Sequence, residues 1–324
     1  MAGPRPKRFA MPIVIAHRGA SGYLPEHSLA AKALAHASGA AFLEQDVVAT
    51  RDDKCVVLHD IHVDRVTDVA VRFPDRARAD GRFYARDFDL SELKQLRLTE
   101  RTDASGNPVF PERFPAGPTG LTIPTLGEEL ALIKGLNHST GRQVGVYPEI
   151  KKPAWHHKEG VDLAGLVLDV LAEYGYRDVP EEVFLQCFDL NENIRIRDEF
   201  NPRYPMVQLI ADDAWGESDT RYGELLTESG LLGLKGVVDA IGPWIQQLYT
   251  VDNSVILETP LVEWAHGLEL QVHPYTLRRD ALPEGFSDFR ALHQWVTTRG
   301  IDGVFSDFAD VSVSLFTELG AENL

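Results

Sequence analysis

Cysteine is scarce: only Cys55 and Cys187 occur in 324 residues. A bridge between them would need their Cα atoms within about 7 Å, and nothing in the sequence points to that. Neither thiol has a histidine beside it, and Cys187 sits in a strand-like run. Both read as packing residues rather than nucleophiles. Positive charge is also in deficit, with 49 Asp and Glu against 32 Lys and Arg and a net charge of −17. No basic stripe appears, which disfavours nucleic-acid binding. An anionic substrate would therefore need positive charge concentrated locally. No run of 18 apolar residues exists, so no membrane span is expected. No Gly-x-Gly-x-x-Gly follows an early strand, which removes the signature of a Rossmann-type nucleotide site. No short internal repeat is evident. Met1 to Ala10 is basic and proline-containing but lacks an apolar core, so it does not read as a signal peptide.

What is present is a series of short apolar runs that end in polar residues. Ile13-Val14-Ile15-Ala16 reads as a buried strand and runs into His17-Arg18-Gly19. A helix is expected from Ser28, as N-cap, to about His36. Ala41 to Val47 alternates, so Glu44 and Asp46 share a face. Their Cα atoms should lie roughly 6.6 Å apart. Both carboxylates could then reach one hard cation at about 2.3–2.6 Å. Two like charges buried there without a cation or a proton would be costly. Further on, Asp52-Asp53 separates two strand-like arms. A two-residue loop there places Asp46 opposite His59 and returns His59-Asp60 to the same end of the fold.

The order His-Arg-Gly, Glu-x-Asp, His-Asp resembles the glycerophosphodiester phosphodiesterase family, a metal-dependent branch of the phospholipase-C-like barrels. The stretches IAHRGASGYLPEHS, FLEQDVV, VVLHD, YPEIKKP, FLQCFD, VHPYTLRRDALPE and GVFSDF resemble the bacterial extracytoplasmic form and extend from residue 15 to residue 308. The resemblance implies a third metal-binding carboxylate, Glu149, with Lys151 two residues along the same strand face. Read alone, Glu149 is equally a salt-bridge partner and Lys151 an exposed strand end. The wider family often has Asn-Thr where this chain has His27-Ser28. Serine caps as threonine does, so this departure is expected to matter little. The compartment is periplasmic by resemblance if a leader has been removed, and cytoplasmic if Met1 is the native start.

Candidate strands near 12–16, 41–46, 144–149, 183–187, 206–210, 237–241, 268–273 and 302–306 alternate with helical patterns at 163–174, 190–200 and 289–299. This predicts a parallel sheet with covered faces. Eight strands fit an α/β fold of the TIM (β/α)8 barrel type, with an open doubly wound sheet as the competitor. Residues 1–324 are taken as one catalytic barrel with a small subdomain inserted at about 61–120. That insertion is rich in Arg and Asp and reads either as a salt-bridged excursion or as a lid beside the mouth.

The expected chemistry is metal-dependent hydrolysis of small-molecule glycerophosphodiesters, such as glycerophosphocholine and glycerophosphoethanolamine, to sn-glycerol 3-phosphate and an alcohol. Glu44, Asp46 and Glu149 hold one divalent cation, with Ca²⁺ favoured over Mg²⁺ as an all-oxygen set suggests. Arg18 and Lys151 bind the phosphate. His17 and His59 are the acid–base pair, for which an ordinary imidazole pKa near 6.5 is suitable. By resemblance the glycerol 2-hydroxyl attacks to give a cyclic phosphate that water opens. Direct attack by water is the other route. Asp60 is expected to orient rather than titrate, and Asp307 to be a rim residue or a partner of the site. Gln186, Phe188, Trp244, His273 and Tyr275, at strand ends, are candidates for the substrate pocket. His156-His157 are expected at the surface or rim. The alternative activity is a phospholipase D-like lyase acting on sphingomyelin or lysophospholipids. Nothing in the sequence sets an oligomeric state.

Overall fold

The computed structural model describes residues 11–322, so the basic segment Met1–Ala10 lies outside the described residues. Eight parallel strands, each buried along its length, form the central wall. They are β1 (Ile13–Ala16), β2 (Phe42–Ala49), β4 (Gly145–Ile150), β5 (Leu185–Cys187), β6 (Met206–Ile210), β7 (Ala240–Pro243), β10 (Gln271–Val272) and β11 (Gly303–Ser306). Three shorter strands complete the set: β3 (Cys55–Val57), antiparallel to β2, and the separate hairpin β8 (Tyr249–Asp252) with β9 (Val255–Glu258). The order β10-β7-β6-β5-β4-β2-β1-β11 returns on itself. Asp302 N–H donates to Val272 O (3.1 Å), Phe305 N–H to Pro274 O (3.1 Å) and Leu277 N–H to Phe305 O (2.8 Å). The sheet is a nearly closed (β/α)8 barrel. Among the described residues no helix is long and apolar enough to cross a membrane.

The interior is stacked in layers because side chains alternate along each strand. Ile15, Phe42, Tyr147, Phe184 and Phe305 form an apolar plug inside the barrel. Two residues further along the same strands stand His17, Glu44, Glu149, Gln186 and Asp307. A second step of two along β2 and β4 reaches Asp46 and Lys151. Cα register sets Asp46 beside Glu149, and Glu149 beside Gln186. The plug thus forms the floor on which the polar layer rests. Burying each large apolar side chain contributes roughly 1.5–3 kcal/mol.

The helices follow local signals. Ser28 caps the helix Leu29–Ala37, its side chain accepting from Ala31 N–H (3.2 Å). Thr125 and Glu128 make a reciprocal capping box for the helix Leu126–Thr140. One expectation is corrected. The β2–β3 register pairs Val47 with Val57 and sets Leu58, not His59, opposite Asp46, with Leu58 N–H donating to Asp46 O (2.9 Å). The loop is three residues, Arg51–Asp53, not two. Thr50 N–H donates to Lys54 O (3.0 Å), and Asp53 takes the left-handed conformation (φ +57°), the usual three-residue solution.

Residues from the end of β3 to the helix Leu126–Thr140 build a second apolar cluster. Val63, Val66, Phe83, Phe88, Leu93, Leu96, Leu98 and Ile123 pack against Val48, Val56 and Leu58. This segment is more than a solvated excursion. It is fastened to the barrel by Arg78, which bonds Asp87 (2.8 Å) and Glu159 (2.9 Å), and by Tyr84 stacked on Trp155 (5.6 Å).

The turn after β1 depends on backbone freedom at Gly19 (φ +82°), where an added Cβ would lie 2.8 Å from the Ala31 carbonyl carbon. Gly19→Ala is expected to destabilise the fold by about 2 kcal/mol or more, read as a lowered urea midpoint. An unchanged midpoint would mean that the turn is not constrained as described.

Candidate active site

One cleft at the carboxyl end of the strands is lined by His17, Arg18, Glu44, Asp46, His59, Glu149, Gln186, Phe188, Trp215, Glu217, Trp244 and Tyr275, among others. It thus gathers both histidines, the three carboxylates and four of the five pocket candidates. His273 is the exception, and its placement is a correction. It is fully buried inside the barrel, with Nδ1 2.8 Å from Tyr147 Oη. Its ring fills space left by Gly303, where a Cβ would come within 2.9 Å of it. Burial lowers its pKa to about 4. Lys151 also lies off the cleft wall, its Nζ 2.8 Å from Glu149 Oε1 and 3.8 Å from Asp46 Oδ1. His156 is likewise not at the rim. It is buried and accepts a hydrogen bond from Ala49 N–H (3.2 Å), while His157 is at the surface as expected, exposed near Glu192. Both cysteines are buried and free, and Cys187 Sγ donates to Ile150 O (3.4 Å).

The carboxylates are arranged around an electrostatic conflict. Burial first, and then the Asp46 charge, raise Glu44 well above the ordinary carboxylate range. Burial also raises Glu149, more than Lys151 beside it can offset. Burial opposes ionisation of Asp46 too, yet Lys151, His59 and His27 hold it well below that range. Glu44 Oε2 accepts from the Arg18 backbone N–H (2.5 Å), which the positive φ of Arg18 (+58°) allows. Asp46 Oδ1 is buried without a hydrogen-bond partner. A hard divalent cation fits this donor set: oxygen ligands, excess negative charge and one orphaned oxygen. Lys151 Nζ, between Glu149 and Asp46, supplies part of the same compensation.

His27 is the residue whose importance the sequence reading underrated. It is buried, and its Nε2 lies 2.7 Å from Asp46 Oδ2, within a cluster that also contains Glu44. Lys32 Nζ approaches its Nδ1 at 3.3 Å and also donates to Glu44 O. A lysine can only donate, so Nδ1 accepts and Nε2 carries the proton. Burial and Lys32 lower the His27 pKa to about 3, so the ring is neutral. His27 therefore orients Asp46 rather than offering a lone pair to a metal. The one available signal was its place beside Ser28, where the family often has Asn.

Each cleft histidine rests on a carboxylate. His17 Nδ1 is 2.5 Å from Asp307 Oδ1, and His59 Nδ1 is 2.7 Å from Asp60 Oδ1. This fixes the Nδ1–H tautomer of both rings and leaves each Nε2 free. The ordinary value near 6.5 does not hold here. Burial, aided by Arg18, lowers His17 to about 4, and burial with Arg18 and Lys151 lowers His59. Arg18 bonds Glu26 (3.0 Å), while its Nε, buried near Asp46, has no hydrogen-bond partner.

Residues 17–311 match the Glycerophosphoryl diester phosphodiesterase family. A Haemophilus influenzae glycerophosphodiester phosphodiesterase is 42% identical over 322 residues, covering 93% of this chain and 88% of its own. A Treponema pallidum protein of the same name is 37% identical, covering 93% and 90%. An Oleispira antarctica phosphodiesterase, solved with the product sn-glycerol-3-phosphate, shares the fold at TM-score 0.66 and 20% identity, covering 95% of this chain and 97% of its own. The chain belongs to the glycerophosphoryl diester phosphodiesterase family.

Raised pKa values at Glu44 and Glu149 make a testable link between pH and metal. Protons leave these groups as pH rises above the ordinary carboxylate range, and the repulsion then destabilises metal-free protein. Added Ca²⁺ should raise the melting temperature more at pH 8 than at pH 5. A shift of equal size at both would contradict the assignment.

Proposed function

We propose that this chain hydrolyses glycerophosphodiesters, glycerophosphocholine and glycerophosphoethanolamine among them, to sn-glycerol 3-phosphate and the free alcohol, with one divalent cation, Ca²⁺ in preference to Mg²⁺. Residues 1–324, insertion included, act as one catalytic unit. The observation that carries this reading is the pair of carboxylate-backed imidazoles facing one cleft that also contains three buried acids. Binding alone requires no acid–base pair. The sn-glycerol-3-phosphate held by the Oleispira neighbour is the product this reading expects.

Glu44, Asp46 and Glu149 would hold the cation, which when bound offsets negative charge on the phosphoryl group. The free Nε of Arg18 is a donor for a phosphate oxygen. Lys151 adds positive charge from behind Glu149. Nε2 of one histidine takes the proton of the attacking oxygen, either water or the glycerol 2-hydroxyl whose cyclic phosphate water then opens, and Nε2 of the other protonates the departing alcohol oxygen. Both rings are neutral without substrate. An incoming phosphodiester anion raises the imidazole pKa values and lets one ring carry the proton.

Two measurements test this. His17→Ala and His59→Ala should each lower kcat on glycerophosphocholine by roughly 10²–10⁴-fold with circular dichroism unchanged. Near-wild-type turnover in either would remove that histidine from the chemistry, and faster cleavage of sphingomyelin would favour the lyase. The acid limb of kcat/KM should fall below pH 6.5, because the free-enzyme base is held under its ordinary value. A limb at or above 6.5 would show that neither lowered imidazole is the base.

A further inference from the structure

The inserted segment carries a guanidinium to each histidine's carboxylate. Arg101 Nη1 bonds Asp60 Oδ2 (2.7 Å), the same carboxylate whose Oδ1 holds His59. Its Nε and Nη2 bond Glu26 (2.8 and 2.6 Å), the carboxylate that holds Arg18 Nη1. One side chain thus fixes a proton-transfer group and a phosphate-binding group together. Arg113 Nη2 bonds Asp307 Oδ2 (2.8 Å), opposite the oxygen that holds His17. Asp307 has a second guanidinium, Arg278 (2.8 Å), whereas Arg101 is the one arginine bonded to Asp60 among the described residues.

We propose that Arg101 is a positioning residue for catalysis, setting the orientation of His59 through Asp60 and of Arg18 through Glu26. The proposal rests on the functional reading above. A carboxylate shared between an imidazole and a guanidinium is held at both oxygens. Releasing one of them lets it rotate and frees the ring to change tautomer. Arg113 does the same for His17 with Arg278 as support, so its loss should cost less.

The test compares Arg101→Gln, Arg113→Gln and Arg78→Gln. Arg78 fastens the same segment through Asp87 and Glu159 but touches neither histidine's carboxylate. Arg101→Gln should lower kcat on glycerophosphocholine by roughly 10–100-fold and raise KM as Arg18 loosens, Arg113→Gln should lower kcat less, and Arg78→Gln should leave turnover near wild type. On the same proteins, ¹⁵N-histidine NMR should show one Nδ1–H form of His59 in wild type and mixed forms in Arg101→Gln. Unchanged kcat in Arg101→Gln, or an equal loss in Arg78→Gln, would overturn the proposal. So would a single retained tautomer. Should Arg101→Gln not fold, Arg101→Lys serves, because it keeps the charge without the three-nitrogen span. A lowered kcat supports the proposal and wild-type kcat overturns it. Wild-type protein inert on every glycerophosphodiester would instead defeat the functional reading, while the NMR arm still reads the positioning.

Discussion

Mutual repulsion among three acids set on an apolar floor is the constraint on which the rest of the site depends. Phe42 and Tyr147 are in the plug, and the next inward residues on those strands are Glu44 and Glu149, with Asp46 one step above. The apolar side chains beneath them do little to spread the charge. The surrounding residues answer this in different ways. Arg18 donates its backbone N–H to Glu44, His27 fixes one oxygen of Asp46, and Lys151 bridges Glu149 and Asp46. These contacts still leave Asp46 Oδ1 unpaired and Glu44 and Glu149 raised. The remaining demand for positive charge is what suits the cleft to a cation and an anionic ester in an acidic protein.

The same low-dielectric setting shapes the histidines. Burial lowers both, and the carboxylate behind each keeps its proton on Nδ1. Charge on the rings is therefore tied to arrival of the anion they act on. Each of those carboxylates is braced by arginine, so the acid–base pair belongs to a network that reaches well outside the barrel.

Most of the barrel was legible because strands announce themselves by period. Short apolar runs marked the eight parallel strands, and alternation placed Glu44 with Asp46 and Glu149 with Lys151 on common faces. Resemblance supplied what period could not, the joining of distant strands into one site. Elsewhere the local signal was weak. The β2–β3 loop gained a residue because Asp53 accepts a positive φ, which Asp-Asp does not reveal. His273 shares its strand end with true cleft residues, yet it turns into the space beside Gly303. His27, Glu26, Arg101 and Arg113 sit in loops or in the insertion. There no periodicity fixes direction, and an arginine among many aspartates looks like any surface ion pair.

A crystal structure grown with Ca²⁺ tests the central claim most directly. The account predicts a single ion bound by Glu44, Asp46 Oδ1 and Glu149, with Lys151 Nζ moved away from Asp46 and His27 still bonded to Asp46 Oδ2. An ion bound elsewhere, or Lys151 still spanning Glu149 and Asp46 at saturating Ca²⁺, would contradict it.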